Sequence, residues 1–306
     1  MWHGILVINK EPGLTSHQVI AKLRRILTQK TIGHSGTLDP EATGVLVVGL
    51  GQATRSLFFI NDTVKRYRAA IILGQATDTQ DASGVVIREK ADFSVNSTEL
   101  VAAIRQFTGE IEQIPPMYSA VKVKGQKLYN IARQGREIVR EPRTIKVFNW
   151  SILSPSAIYG YKSVIDCEIT CSKGTYIRTL IHDLGQRLGC GAHMGNLIRL
   201  QSGDFKLEDS FTLRQVEGYY LAEKFAGILV PIERALSHLF PIWPTEEDLN
   251  KVLHGGKISF EKYPCELPIG SKGQILDRLS KPIAIVQLSD AGTYRYWQPV
   301  KVFQYN

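Results

Sequence analysis

The chain has 306 residues, 43% of them hydrophobic and 22% charged, so it can bury a real core and is neither disordered nor fibrous. Its 37 Lys and Arg exceed its 29 Asp and Glu, a formal charge of +8 that favours a polyanionic partner. Four cysteines lack the paired CxxC spacing of a zinc site, and no apolar run has the length of a signal peptide or a membrane span, so a reduced, cytoplasmic protein of about two domains is expected.

Residues 4–9 read as a buried strand, followed by a turn over 10–13. Thr15 with Gln18 predicts a capping box, and Val19, Ile20, Leu23, Ile26 and Leu27 then share one helical face. Residues 33–46, GHSGTLDPEATGVL, show neither helical nor strand period and read as a shaped loop. Gly33, Gly36, Pro40 and Gly44 surround the Asp39 carboxylate and the His34 imidazole. A carboxylate on a rigid loop between two apolar runs suits chemistry. On composition alone a tight turn in which Asp39 accepts local N–H groups is favoured. Residues 45–50 form a second apolar strand. The run Gly49-x-Gly51-x-x-Thr54 lacks the third glycine and the following acid of a dinucleotide fingerprint, and predicts no such cofactor.

Residues 64–74, VKRYRAAIILG, pass from a charged rim into an apolar stretch, as a strand entering a core does. Tyr67, between Arg66 and Arg68, fits a base-stacking platform flanked by phosphate contacts or an edge-strand tyrosine with solvated neighbours. A polar turn covers 78–84. Asn96 and Glu99 cap a helix that carries Leu100, Val101, Ile104 and Phe107 on one face and ends at Gly109.

Residues 117–146 hold eight cations against two anions, with Tyr118 and Tyr129 among them. Pro115, Pro116 and Gly125 punctuate this stretch into an arm with a short strand, a turn and a short helix. So concentrated a charge, with Lys122, Lys124 and Lys127 at its centre, favours a phosphate-backbone contact surface over a merely solvated face. Strand-like segments fill 144–171 and place Cys167 and Cys171 on one side. In CSKGTYIRTLIHDLGQRLG (171–189), Ile177, Leu180, Ile181, Leu184 and Leu188 make a helical stripe that Gly189 terminates. Tyr176 and Arg178 fall in its first turn. A cation there opposes the helix dipole and calls for an anionic partner. Asp39 is a candidate, onto which Arg178 would place both arms of its fork. FPIWP (240–244) then marks a boundary between a basic larger part, 1–242, and a small β-rich part, 243–306, with eight cations and seven anions.

Five blocks follow one another: INKEPGLTSH (8–17), GHSGTLDPEATGVL with GLGQATR (49–55), KRYRAAIILGQATDTQDASG (65–84), QIPPMYSAVKVKGQKLYNIARQGRE (113–137) and CSKGTYIRTLIHDLGQRLGCGAH (171–193). Through them the chain resembles the TruB-type tRNA pseudouridine synthases over about its first 235 residues. Ser35 and Glu41 depart from the Thr and Leu of that family's loop. The resemblance implies an α+β fold with a mixed, largely antiparallel sheet core, flanking helices and a cleft, plus a small C-terminal PUA-like domain, with the basic RNA-binding arm at about 113–146. It implies Asp39 as the catalytic aspartate, Arg178 as its partner and Tyr67 as the side chain stacked on the target base. Tyr176 and Leu197 would line the uracil pocket, and His34 would contact substrate and hold the base outside the loop stack. The implied reaction converts uridine 55 in the T-loop of tRNA to pseudouridine. Nothing is oxidised and no group is lost, so no cofactor or metal is expected. The implied partner is the T-arm stem-loop, with no membrane, no obligatory protein partner and a monomeric state. Desolvation would raise the pKa of Asp39 while Arg178 opposes the shift. Two other readings stand beside this one: a tRNA-binding or folding protein without turnover, and the catalytic subunit of a guide-RNA-dependent synthase.

Overall fold

The apolar runs of the sequence pair into one nine-stranded sheet. The structure, a computed structural model, describes residues 1–304 except Ala120, Lys124 and Arg133, and of Lys122 and Lys127 the backbone alone. Across the sheet the order is Gly4–Lys10, Thr43–Leu50, Ala192–Ser202, Val64–Leu73, Val164–Ser172, Arg143–Ile152 and Gly109–Gln113. Ile32–Ser35 also pairs with Thr43–Leu50, and Phe205–Lys206 with Ala192–Ser202. Thr43–Leu50 and Ala192–Ser202 run parallel and the other pairs of this sheet are antiparallel, which is the mixed, largely antiparallel core expected.

Helices cover the sheet through the predicted stripes. Helix Ile177–Arg187 and helix Ser97–Arg105 bury Leu180, Ile181, Leu184, Leu100 and Ile104 against Ile71, Ile165, Cys167, Ile169 and Cys171. Each such side chain contributes about 1.5–3 kcal/mol on removal from water. Helix Ser16–Ile26 packs Val19, Ile20 and Leu23 on Leu6, Ile8, Leu46 and Val48. The Thr15–Gln18 and Asn96–Glu99 capping boxes both form.

Four local expectations change. Residues 33–46 are not loop throughout: Ile32–Ser35 is a strand paired with Thr43–Leu50, which leaves 36–42 as the loop. Pairing with a fully buried neighbour outweighs the local preference of the glycines. Helix Ser97–Arg105 stops four residues before Gly109, which opens the next strand at φ +98°. Strand Val64–Leu73 is flanked on both sides, so Tyr67 is not an edge residue. Finally, Phe240–Ile242, which the 242/243 boundary assigns to the larger part, joins the C-terminal sheet, after a single helical turn at Ile232–Ala235. That sheet has the order Phe240–Ile242, Lys272–Leu276, Pro282–Asp290, Arg295–Val302, Ile258–Ser259. Ile285 and Phe303 from its side pack with Ile5, Val45 and Val47 of the large sheet.

Candidate active site

The loop that carries Asp39 is fixed by groups holding its backbone on both sides of the carboxylate. Before it, Leu38 is buried in the core, and Ser16 Oγ accepts from Leu38 N (3.0 Å) and donates to Leu38 O (3.3 Å). After it, Pro40 O accepts from Lys10 Nζ (2.7 Å) and Gly13 N (3.0 Å). Lys10 also donates to Leu14 O (2.6 Å). Burial lowers its pKa to about 8, against the pull of Glu41 and Asp39. Arg199, 1% exposed, donates from Nε to Val45 O (2.6 Å) and from Nη2 to Gly36 O (2.8 Å). Gly44 sits at φ +96°, and a Cβ there would lie 2.3 Å from Arg199 O. Gly44→Ala combines a left-handed backbone with a clash against main chain, and is expected to cost about 2–4 kcal/mol of stability in denaturant unfolding.

Into this frame helix Ile177–Arg187 inserts Arg178, 5% exposed. Its fork does not clasp Asp39 bidentately, as the sequence suggested. Nη2 lies 3.6 Å from Asp39 Oδ2, Nη1 lies 3.5 Å from Asp81 Oδ2, and Nη2 also donates to Tyr118 O. One guanidinium thus joins two carboxylates and the base of the basic arm. Asp81 is itself held by Thr79 Oγ1 (2.7 Å) and Ser83 N (3.0 Å). Asp39 keeps 40% of its side-chain surface, turned to a cavity, while protein encloses it elsewhere. Desolvation is accordingly the strongest influence on its pKa and raises it; Arg178 opposes, Asp81 adds to the rise and Lys10 opposes.

That cavity measures about 430 Å³ and is walled by Asp39, Tyr67, Tyr176, Arg178, Leu197 and Arg199, with Gly36, Asp62, Lys65 and Lys173 also on its surface. Tyr67, 8% exposed, lies opposite Arg199 in the sheet register, and burial raises its hydroxyl pKa. Register shifts between Met194 and Leu197 and between Arg199 and Gln201 re-aim Leu197 and Arg199, as bulges beside sites do. Tyr176 is the N-cap of the Arg178 helix. Its peptide is clamped by Gln113, whose Nε2 donates to Tyr176 O (3.0 Å) and whose Oε1 accepts from Tyr176 N (2.9 Å).

His34 is not on the cavity wall. It lies edge-on to His17 with ring centroids 5.3 Å apart, and its Nδ1 has no hydrogen-bond partner among the described residues. Burial brings its pKa down to about 4, so the ring is neutral at neutral pH. Lys124 and the side chains of Lys122 and Lys127 lie outside the described residues. Lys10, Asp81, Gln113 and Arg199 escaped the sequence reading. For Asp81 there was a signal: a buried cation against a helix dipole can draw on two acids, and TDTQD supplies the second.

The chain is matched by the family model of TruB family pseudouridylate synthases, N-terminal domain, over residues 24–177, and by that of the tRNA pseudouridylate synthase B C-terminal domain over 178–237. Relatives named tRNA pseudouridine synthase B are 40% identical in Dehalococcoides mccartyi (98% of this chain, 96% of the relative). The one in Staphylococcus haemolyticus is also 40% identical (99% and 100%), and the one in Geobacillus kaustophilus 44% (82% and 89%). Among solved structures, a Cbf5-Nop10-Gar1 complex contains a chain with TM-score 0.74 and 28% identity, covering 99% of this chain and 84% of that one. An H/ACA RNP bound to a substrate RNA gives 0.74 and 26%, covering 99% and 86%. The fold, with an acid–arginine cavity against its mixed sheet, is that of the pseudouridylate synthases. Within this class the chain belongs to the TruB family.

Proposed function

We propose that this enzyme isomerises uridine 55 in the T-loop of tRNA, acting as a monomer on a base flipped out of the loop, with Asp39 as the catalytic residue. The observation that carries the reading is Asp39 facing a 430 Å³ cavity with Arg178 at 3.6 Å. Relatives at 40% identity over nearly the full chain that are named for tRNA support the substrate. The likeness to Cbf5 and H/ACA structures supports the guide-RNA reading less well, because identity there is 26–28%. A binding protein without turnover would leave the preorganised carboxylate unused.

In the proposed reaction the bond from N1 to the ribose C1′ breaks, the uracil turns, and C5 joins C1′. C5 then gives up its proton while N1 holds one, so atoms and charge balance without a co-reactant. Asp39, as carboxylate, supplies the nucleophile or the counter-charge for the cationic sugar. Arg178 holds that carboxylate in place and favours its ionised form. Tyr67 offers the flipped base a face, offsetting part of the few kcal/mol lost on unstacking. The enclosing walls keep water from the open C1′. Incubation with an unmodified T-arm hairpin followed by pseudouridine mapping tests the reading; no product, or product elsewhere in the loop, would refute it.

The basic arm contributes affinity through phosphates. Reversing Lys122, Lys124 and Lys127 to Glu together is expected to weaken T-arm binding and flatten its dependence on salt, because fewer counterions are released. Titrations at several ionic strengths check this; an unchanged slope would make the arm a solvated face only.

A further inference from the structure

The ionisable groups on the cavity wall do not balance. Arg178 has carboxylate partners in Asp39 and Asp81. Arg199 has none within ion-pair distance among the described residues and is spent on backbone carbonyls. Lys65 and Lys173 share a single carboxylate, Asp62, with Oδ2 3.3 Å from Lys65 Nζ and Oδ1 3.6 Å from Lys173 Nζ. Those three groups together keep one positive charge.

Their placement is graded in depth. The Lys65 side chain is 5% exposed and that of Lys173 is 63% exposed, one at the floor and one at the rim. Lys65 donates to Asp62 and to Ser202 Oγ (2.6 Å), so the third N–H of its ammonium has no partner among the described residues. Beside it Gly36 leaves room: a Cβ there would lie 3.6 Å from Lys65 Nζ and 3.4 Å from Arg199 Nη1. Lys173 is held beside Asp62, since Lys173 N donates to Thr63 O (2.9 Å). Taking Lys65 out of water without a full counter-charge lowers its pKa to about 8, with Arg199 adding to the fall and Asp62 opposing it.

Uracil and ribose are neutral, so the charges a target nucleotide brings are those of its two flanking phosphodiesters. We propose that Lys65, Lys173 and the open face of Gly36 form a phosphate subsite that takes one of these two phosphodiesters and sets how deeply the nucleotide is drawn towards Asp39. One phosphodiester neutralises the cluster. The inference rests on the reading that a uridine occupies the cavity. A purely structural strut would need Lys65 and Asp62 but not Lys173, whose exposed ion pair contributes little to stability.

The test uses single-turnover kinetics on T-arm hairpins with a neutral methylphosphonate on the 5′ side of the target uridine, on its 3′ side, or on neither. Wild type, Lys173→Ala, Lys173→Arg and Lys65→Met are compared, with melting curves for each. On the all-phosphate hairpin Lys173→Ala should lose about tenfold in kcat/KM, its salt slope should shrink by about 0.7, and Lys173→Arg should recover most of the loss. One methylphosphonate should cost wild type about tenfold yet cost Lys173→Ala little more, and that arm identifies which phosphate is held. Lys65→Met should show the same coupling; if it fails to fold, the Lys173 variants decide. Equal losses for Lys173→Ala on all three hairpins, or no loss, would overturn the subsite while wild-type product on the unmodified hairpin leaves the main reading standing. Absence of that product would instead refute the reading beneath it.

Discussion

Asp39→Asn is expected to fold, to hold the T-arm about as tightly as wild type, and to form no detectable pseudouridine. The loop is held by backbone atoms of Leu38, Pro40 and Gly36, so the amide inherits the position of the carboxylate. What it loses is the negative charge and the nucleophile. Stability should not suffer. An acid whose folded-state pKa lies above its unfolded value binds its proton more tightly when folded, so its contribution to stability falls as pH rises between the two values. Asp39 is such an acid, raised from 3.8 by desolvation, so the variant should melt no lower than wild type at neutral pH. The same shift predicts an acid limb in the wild-type rate with a midpoint above 3.8, since the ionised form does the work. Enzyme-excess assays across pH would show both, free of product release. Substantial product from a verified Asp39→Asn preparation would sink the mechanism.

Much of this site was legible because its signals are local. The capping boxes of Thr15 and Asn96 rest on spacings of three residues, and both are present in the fold. Asp39 stood out as an acid set directly before a proline among residues that shape a backbone. What could not be read were roles created by pairing across the chain. Tyr67 sits in a central strand only because Ala192–Ser202 and Val164–Ser172 flank it, which no window around Tyr67 contains. Arg199, in NLIRLQS, has the pattern of a solvated strand residue. It is buried because Gly44 lets main chain close against its backbone and the carbonyls of Val45 and Gly36 take its guanidinium. Lys10 and Gln113 likewise act on backbone carbonyls and amides, groups that every residue carries and no sequence advertises. The prolines of FPIWP read as a boundary, yet prolines are tolerated at the margins of sheets, and Phe240–Ile242, with Pro241 at its centre, pairs in parallel with Lys272–Leu276.

Arg178→Lys carries the second large effect, and the observed geometry sharpens its reason. The guanidinium spans Asp39, Asp81 and the carbonyl of Tyr118 with two nitrogens, a reach that a single ammonium lacks. A lysine would settle on one carboxylate and leave the other, partly shielded from water, without its cation. Arg178 makes charge-assisted hydrogen bonds to Asp81 and Tyr118 O besides its ion pair with Asp39; with such bonds worth about 1.5–3 kcal/mol, turnover should fall by about a hundredfold while T-arm affinity changes little. Asp81→Asn separates charge from position. Asp81 helps to raise the Asp39 pKa, so removing its charge should move the acid limb of the rate to lower pH even as Arg178 loses one of its supports and the plateau drops. A folded Arg178→Lys enzyme turning over at the wild-type rate, or an Asp81→Asn limb that stays in place, would show that the two carboxylates are not coupled through this arginine.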